Sequence, residues 1–196
     1  MLYVDLRIAM TKFIKSEWMC CTIPHKIAEN FCKMHHFSKS GGAKSQIAIG
    51  LFKKGETKLY GASLWVMPPA GVPKRYGLKQ NEMYCLSRLA IYPDVPTNGA
   101  SFVIGYGIRH IKKYKSQIQM LITWADEYQK HTGQIYKASN WIFDGMTQPR
   151  HSWVNKNGRL VSCYSHGKSV PVKIMDEKYT RIGPFRKHRY IYPLRC

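Results

Sequence analysis

Acidic residues are scarce in this chain. Its 196 residues include 11 Asp and Glu against 31 Lys and Arg, which gives a formal net charge of +20. A compact chain with such an excess of one charge repels itself, and a polyanionic partner offsets that repulsion. DNA or RNA is the leading partner, and an anionic membrane surface is the second. The remaining alternative is a basic surface that serves solubility alone.

Long apolar runs are also missing. No stretch approaches the roughly 20 apolar residues that a membrane-spanning helix needs. The N-terminal sequence MLYVDLRIAMTKFIK mixes both charges too early for a signal peptide. We therefore expect an intracellular protein that does not enter a membrane. Repeats and low-complexity tracts are absent, and 44% of the residues are hydrophobic, so the composition predicts one folded domain rather than a disordered chain.

The cysteines do not suggest a disulfide framework. Cys85 lies in an apolar run and Cys196 is terminal, so reduced thiols are expected. Cys32 and His35 have a spacing that could hold a metal ion, but no second pair follows at zinc-finger spacing. A packed helix is the alternative, and the identity of any metal stays open. The candidate ligands within this short region are Cys20, Cys21, His25, Cys32, His35 and His36.

Hydrophobic spacing predicts an α+β protein. The central third predicts a βαβ unit buried on both faces, with Ser101 as the N-cap of its helix. The expected elements are, in order, a helix in 22–35, strands in 46–52 and 58–66, a surface loop over 67–80, a strand in 83–92, a helix in 102–114, a strand in 119–125, a short helix in 133–139, and a strand that starts at 140 and is broken by Gly145.

Two positions in this unit point to ligand binding. Gly99 and Ala100 precede the helix, where backbone N–H groups can bind a phosphate; an ordinary strand-to-helix turn is the alternative. Asp126 ends the second strand, and ligands bind at the carboxyl ends of strands in open α/β sheets.

The order of elements resembles the GNAT acyltransferase superfamily. IYKASNWIFDG (135–145) looks like the superfamily's tyrosine-bearing helix and following strand, and VPTNGAS (95–101) occupies the place of its pyrophosphate loop. The resemblance implies a GNAT-like central mixed sheet flanked by helices, with a basic C-terminal extension. It implies a single domain over 1–196, with a helical substrate segment (1–45), a core sheet with the donor site (46–145) and a basic, aromatic C-terminal part (146–196).

A closer resemblance is to the Mom family of phage DNA-modification proteins. The segments that carry it are HHFSKS (35–40), LSRLAI (86–91), PTNGASFVIGYGIRHIKK (96–113), WADEYQKHTGQIYKASNW (124–141) and RKHRYIYP (186–193). This resemblance implies conversion of adenine in DNA to an N6-carbamoylmethyl form, which shields phage DNA from restriction in the host cytoplasm. The implied partners are double-stranded DNA and a small-molecule group donor. The oligomeric state stays open, with a homodimer as one alternative.

The resemblance assigns catalytic roles to five residues. Tyr136 would protonate a leaving group, or would merely pack its helix onto the sheet. Asp126 would polarise the adenine amino group or act as a base, or would cap a helix. Arg88, a charge in an apolar strand, would contact a phosphate or carboxylate, or would pair structurally with a residue such as Asp126. His36 and Ser38 would line the base pocket or cap a loop.

The donor site departs from the superfamily pattern. VPTNGAS has one glycine and no leading cation, so a donor other than an acyl-CoA-like molecule is an alternative. Cys85 stands where the family often has an acid. Asn140 and Trp141 would shape the substrate pocket, although a tryptophan at a strand start is often in the core. The implied donor-binding residues are Leu89, Ala90, Ile91, Thr97, Asn98, Gly99, Ala100 and Ser101.

The C-terminal third interleaves cations with aromatic rings. Such a cluster predicts a surface that contacts DNA phosphates and stacks on bases. Two other functions fit the sequence: an N-acyltransferase for a small amine or protein, and a non-enzymatic nucleic-acid-binding module. The predicted DNA-contacting residues are Arg186, Lys187, His188, Arg189 and Tyr190.

Overall fold

The computed structural model describes residues 12–39, 42–165 and 168–195, so Cys196 lies outside the described residues. Within these ranges no helix is both long enough and apolar enough to span a membrane. The helices are α1 (His25–His35), α2 (Gly71–Lys74), α3 (Gly99–Tyr114), α4 (Gln134–Lys137) and α5 (Val172–Lys178). The strands are β1 (Trp18–Thr22), β2 (Ile47–Lys53), β3 (Leu59–Val66), β4 (Met83–Ile91), β5 (Met120–Asp126), β6 (Ile142–Met146), β7 (Arg150–Val154), β8 (Leu160–Val161), β9 (Tyr164–Ser165), β10 (Lys168–Ser169), β11 (Thr180–Phe185) and β12 (Lys187–Pro193).

A mixed sheet forms the centre of the molecule. Its strand order is β1-β2-β3-β4-β5-β12-β6. The pair β4–β5 is parallel, and the other neighbouring pairs are antiparallel. The predicted hairpin is β2–β3, and β4, α3 and β5 form the predicted βαβ unit. The α+β class and the mixed sheet flanked by helices are therefore confirmed.

Helices cover both faces of this sheet because the strand residues alternate in direction. On β2, Ala48 packs against α1, whereas Ile47 and Ile49 belong to the cluster that contains α3. The small Ala side chains of the α1 face allow this helix to lie close to the sheet. The residues buried between α1 and the sheet are Ala28, Phe31, Cys32, Ala48, Ala62, Leu64 and Ala90.

Two boundary predictions were wrong. The α3 helix begins at Gly99, and its N-cap is Asn98, a left-handed residue with φ 82°. Ser101 lies inside the first turn, where its Oγ donates to the Asn98 carbonyl at 2.9 Å. Gly145 does not end β6, which continues to Met146; the register with β12 shifts here, and glycine accepts the required φ of 91°.

The C-terminal third contributes a strand to the central sheet rather than only a basic extension. Because β12 lies between β5 and β6, Arg189 is 8% exposed and Tyr190 is fully buried. The Arg189 guanidinium pairs with the Asp144 carboxylate, which also accepts a hydrogen bond from the Tyr76 hydroxyl at 2.6 Å. The Tyr190 hydroxyl donates to the Thr132 carbonyl at 2.6 Å. The prediction that Arg189 and Tyr190 contact DNA is therefore corrected, since both side chains serve the core.

An insertion lobe lies between β6 and β12, and its described residues are 147–165 and 168–186. The lobe contains a three-stranded sheet in the order β11-β7-β8, the pair β9–β10, and α5. Trp153 and Met175 are buried in it, and Trp153 Nε1 donates to the Asp176 carboxylate at 2.7 Å. Two hydrogen bonds join Thr147 and Lys187 at its neck: Thr147 N–H to the Lys187 carbonyl, and Lys187 N–H to Thr147 Oγ1, both at 3.0 Å.

The connector 67–80 is more ordered than the predicted surface loop. It contains the one-turn α2, and Tyr76 donates to Asp144 of β6. Its apolar side chains pack on the sheet face beside α1. The residues of this cluster are Val66, Val72, Tyr76, Leu78, Met83, Cys85 and Ile122.

Two glycines of α3 give a matched test of helix packing. A Cβ at Gly107 would lie 2.7 Å from the Trp65 ring, whereas one at Gly105 would meet only the flexible end of Arg109 at 3.3 Å. We expect Gly107→Ala to lower the free energy of unfolding by about 1–3 kcal/mol through overpacking. Gly105→Ala should raise it by about 0.5–1 kcal/mol, because alanine favours the helix. Urea unfolding followed by tryptophan fluorescence measures both, and equal effects would contradict the close α3–β3 contact.

Candidate active site

The parallel pairing of β4 and β5 ends before either strand does. Met83–Cys85 pair with Met120–Ile122, but β4 continues to Ile91 and β5 to Asp126. Just beyond the last pair, the Thr123 hydroxyl bridges the strands by donating to the Leu86 carbonyl at 3.0 Å. The strands then part, and a cavity of about 1090 Å³ is lined by both of them.

The cavity gathers most of the catalytic residues that the sequence predicted. They come from the end of α1, from β4, from the start of α3, from the end of β5 and from α4, which are distant in the chain. The predicted residues that line it are His36, Arg88, Leu89, Ile91, Ala100, Asp126, Tyr136 and Lys187.

Other predicted site residues lie elsewhere. Ala90 packs beneath α1 on the opposite face of the sheet from α3, so it does not belong to the donor site. Trp141 is 4% exposed and lies in the core. Asn140 and Ser101 line a second cavity of about 300 Å³ between α3 and α4. Thr97 forms a β-bridge with Lys12.

Tyr136 lies at the apex of the opening between β4 and β5. Its hydroxyl is hydrogen bonded to Thr123, the residue that bridges the two strands. Burial raises the pKa of Tyr136 above its ordinary value, so the phenol keeps its proton at neutral pH. The ring packs against Trp141 and Tyr190, with centroid distances of 5.8 and 5.5 Å. The packing role is therefore confirmed, whereas the role of the Tyr136 hydroxyl as a proton donor stays a prediction.

Asp126 marks the end of β5 on the cavity wall. Its Oδ1 accepts the Tyr128 N–H at 3.1 Å and so caps the 3-10 turn Glu127–Gln129. Its Oδ2 pairs with Lys187 Nζ at 3.2 Å. Asp126, the sequence-based alternative as a structural partner of Arg88, thus pairs with Lys187, a residue expected to contact DNA.

His36 is buried beside the end of α1. Burial, reinforced by the positive charge of Arg88 and by His131, lowers the pKa of His36 to about 4. Its Nδ1 accepts the Ser38 N–H at 3.2 Å and lies 2.8 Å from Ser38 Oγ. Because a backbone N–H can only donate, the proton of the neutral ring is on Nε2. Ser38 therefore orients His36 and sets its tautomer.

Arg88 places a cation in the cavity wall. Its Nη1 donates to the Ser87 carbonyl at 2.7 Å. The chain at Gly42 passes so near that an added Cβ would lie 3.5 Å from Arg88 Cγ and Cζ. This packing positions the guanidinium close enough to His36 to oppose protonation of the imidazole.

Gly99, at the start of α3, does not provide the open approach for a phosphate that the sequence predicted. Gly99 is buried, and an added Cβ would lie 2.3 Å from Val95 Cγ1, so this glycine is needed for loop packing. Ala100 is the residue of the first helical turn that lines the cavity. Backbone N–H groups at a helix start favour anions, so the α3 start suits a negatively charged donor group at Ala100.

The sequence analysis missed Thr123, which bridges β4 and β5, and the cavity residues Phe37, Lys130 and His131. Thr123 was visible as the hydroxyl within the apolar QMLITWA, and Phe37 as the ring within HHFSKS. Phe37 is 45% exposed, and its ring centroid lies 4.1 Å from that of His36 and 5.7 Å from that of His131. Lys130 and His131 follow β5 in a loop, where no spacing pattern identifies them.

The cysteine and histidine cluster does not assemble a metal site. In residues 12–39, 42–165 and 168–195, no three His, Cys, Asp or Glu side chains come together as metal ligands. His25 Nδ1 lies 2.9 Å from Ser45 Oγ, and Cys32 is buried on the face of α1 that packs on the sheet. The packed-helix alternative for Cys32 is confirmed. The free thiols in this part of the chain are Cys20, Cys21, Cys32, Cys85 and Cys163.

Comparison with known proteins identifies the family. Residues 17–196 match the Mom protein family. The chain belongs to this family. The methylcarbamoylase Mom of Escherichia phage Mu is 28% identical over 129 residues, which cover 63% of this Mom-family chain and 52% of the phage Mu protein. The chain thus spans about half the length of that relative.

Solved structures share the fold at low sequence identity. A GNAT-family acetyltransferase from Desulfovibrio desulfuricans superposes with a TM-score of 0.55 and 9% identity, covering 91% of this chain and 99% of its own. Spermidine N-acetyltransferase from Vibrio cholerae gives 0.54 and 7%, covering 91% and 95%. The ribosomal-protein-S18-alanine N-acetyltransferase of Escherichia coli gives 0.52 and 9%, with the same coverage. The Mom-family chain therefore has a GNAT-like fold.

The lowered pKa of His36 predicts a pH-dependent stability. A histidine in the unfolded chain has a pKa of about 6.5, whereas the pKa of His36 in the folded chain is about 4. The unfolded state therefore binds more protons between these values, and the folded state loses stability as pH falls through that range. Proton NMR titration, with His36→Gln to assign the signal, should give a midpoint near 4. His36→Gln should also flatten the decline of unfolding free energy below pH 6.5. A titration midpoint at about pH 6.5 would contradict the burial of the His36 imidazole.

Proposed function

We propose that this chain is a transferase that modifies adenine in DNA to an N6-carbamoylmethyl-type base, with a small-molecule group donor. It would act in the cytoplasm of a phage-infected host and protect phage DNA from restriction. The observation that supports this most is the cavity between β4 and β5, which gathers His36, Arg88, Asp126 and Tyr136 in a Mom-family chain. The phage Mu relative is a methylcarbamoylase, and the same class of transfer fits the groups found here.

The cavity has room for two reactants. Small-molecule sites usually occupy about 300–1,000 Å³, and this cavity holds about 1090 Å³. An acyl-CoA-like donor fits the end at Ala100, where the α3 start favours an anionic group, while Leu89 and Ile91 of β4 offer apolar contacts. When bound, the donor supplies the transferred carbon and a leaving group. The target base takes the end near Asp126 and His36.

Each polar group has a task in such a transfer. The adenine N6 attacks the donor carbon, so the N6–H must be oriented and the leaving group must gain a proton. The Asp126 carboxylate, held by Lys187, accepts the N6 proton as the bond from N6 to the donor carbon forms and the bond to the leaving group breaks. Tyr136 donates its proton to the departing atom. His36 Nε2–H and the Arg88 guanidinium stabilise negative charge that develops on the donor.

The base must leave the duplex to reach this site. N6 is not accessible to a carboxylate on the cavity wall while adenine is stacked in the duplex, so the nucleotide is flipped out. The exposed Phe37 ring and His131 at the cavity wall offer aromatic surfaces on which the base stacks.

Mass spectrometry of nucleosides from expressing bacteria tests the proposal. We expect modified deoxyadenosine with the wild-type chain, and resistance of its plasmid to restriction enzymes. Tyr136→Phe should lower the yield about a hundredfold, because general-acid catalysis is lost, and Asp126→Asn should lower it similarly. Tyr106→Phe is the matched control, because Tyr106 packs on His110 of α3 outside the cavity.

Two results would contradict the proposal. One is unmodified adenine alone in cells expressing the wild-type chain, while the phage Mu protein in parallel yields modified adenine. The other is a yield of modified adenine equal to that of the wild type from both single variants, Tyr136→Phe and Asp126→Asn. That result would show that neither residue takes part in the chemistry. Donor turnover on a small amine without DNA would favour the N-acyltransferase alternative.

A further inference from the structure

We propose that the insertion lobe is the surface on which double-stranded DNA docks; the identity of the partner rests on the proposed function. Residues 147–186 contain eight Lys and Arg but two acids. All eight cations are exposed. They are Arg150, Lys156, Arg159, Lys168, Lys173, Lys178, Arg181 and Arg186.

The charge of the lobe is unevenly distributed. Both acids, Asp176 and Glu177, lie on α5, and residues 147–175 contain none. Asp176 is engaged within the lobe, since it accepts from Trp153 and pairs with Arg181 at 3.6 Å. The strands β7 and β8 and the turn between them therefore present only positive formal charge.

The lobe sheet has two different faces. Trp153 and Arg181 lie opposite each other in the register and contact α5 through Asp176, so α5 covers their face. Alternation along β7 puts Arg150 on the other face, opposite Phe185. Phe185 packs on Tyr128 with a centroid distance of 5.1 Å. This second face is thus turned toward the loop 127–131, where Lys130 and His131 line the cavity.

A second contact joins the lobe to the cavity from the other side. In the turn between β7 and β8, Arg159 donates to the Lys39 carbonyl at 2.7 Å. Lys39 follows His36 and Ser38 directly in the chain. The lobe therefore flanks the cavity both at the end of α1 and beyond β5, and a duplex lying on it would place a flipped nucleotide over the cavity.

Duplex DNA fits this surface better than a neutral partner does. A row of exposed cations on a rigid sheet binds phosphates and releases condensed counterions, so such binding weakens steeply with salt. Lys39, Lys130 and Lys187 continue the positive charge around the cavity. The sequence predicted DNA contact at 186–190, whereas the proposed docking surface is centred on β7 and the turn that follows it.

A pair of double variants tests the docking surface. Arg150→Ala with Lys156→Ala removes two charges from the proposed surface, and Lys173→Ala with Lys178→Ala removes two from α5 on the covered side. Fluorescence anisotropy with a labelled duplex of about 20 base pairs, at about 50–200 mM salt, gives the slope of log K against log salt. The first double variant should lower the magnitude of this slope by about 1.8, because each lost phosphate contact contributes about 0.9. The α5 variant should keep the wild-type slope.

Several outcomes would overturn the docking surface: no binding of duplex by the wild-type chain, an unchanged slope for the Arg150 and Lys156 variant, equal losses for both variants, or tighter binding to an RNA hairpin than to DNA. The same proteins are analysed for nucleoside modification. Lobe-dependent binding without modified adenine would count against the proposed function alone. Modified adenine with an unchanged slope would count against the lobe alone. Glutamine replacements at Arg150 and Lys156 repeat the test if the alanine variant unfolds more readily.

Discussion

The cavity between β4 and β5 depends on the point where the parallel pairing of these two strands stops. Where this pairing stops, the backbone groups that face the gap lose their inter-strand partners, so each strand depends on its outer neighbour to stay in the sheet. Here β5 is paired with β12 over its full length, from Lys187–Asp126 to Pro193–Met120, and β4 remains paired with β3 as far as Ile91. Each strand is thus held from its outer side. The sheet can therefore contain a gap at its centre without losing its order.

Two side chains in the wall of this cavity, Tyr136 and His36, have defined protonation states at neutral pH. Burial disfavours the charged forms of the Tyr136 phenol and the His36 imidazole. Both side chains therefore line the cavity as neutral groups that can donate a hydrogen bond at neutral pH. Arg88, Lys130 and Lys187 line the cavity, and Asp126 is the one carboxylate among the described residues that line it; it caps a 3-10 turn and pairs with Lys187. A site of this composition disfavours a positively charged ligand and suits a reaction in which negative charge develops.

The sequence predicted the order of the main helices and strands, but it did not predict that β12 is buried within the central sheet. The apolar runs of β4 and β5 and the helical spacing of α3 identified the βαβ unit, and family resemblance identified His36, Arg88, Asp126 and Tyr136. Arg189 and Tyr190 were misjudged because a basic, aromatic segment is typical of a surface. Their burial depends on Asp144 and Thr132, which lie 45 and 58 residues away in the chain. Such long-range partners leave no trace in local periodicity, and neither does the Thr123–Leu86 bridge.

The neck of the insertion lobe has an evolutionary consequence. Because β6 and β12 are antiparallel neighbours joined at Thr147 and Lys187, the sheet would close on a simple hairpin turn if the lobe were absent. The segment between them can therefore lengthen, shorten or be exchanged without altering the strand order of the central sheet. A protein built in this way can change the surface beside its cavity while β4 and β5 keep their places in the sheet.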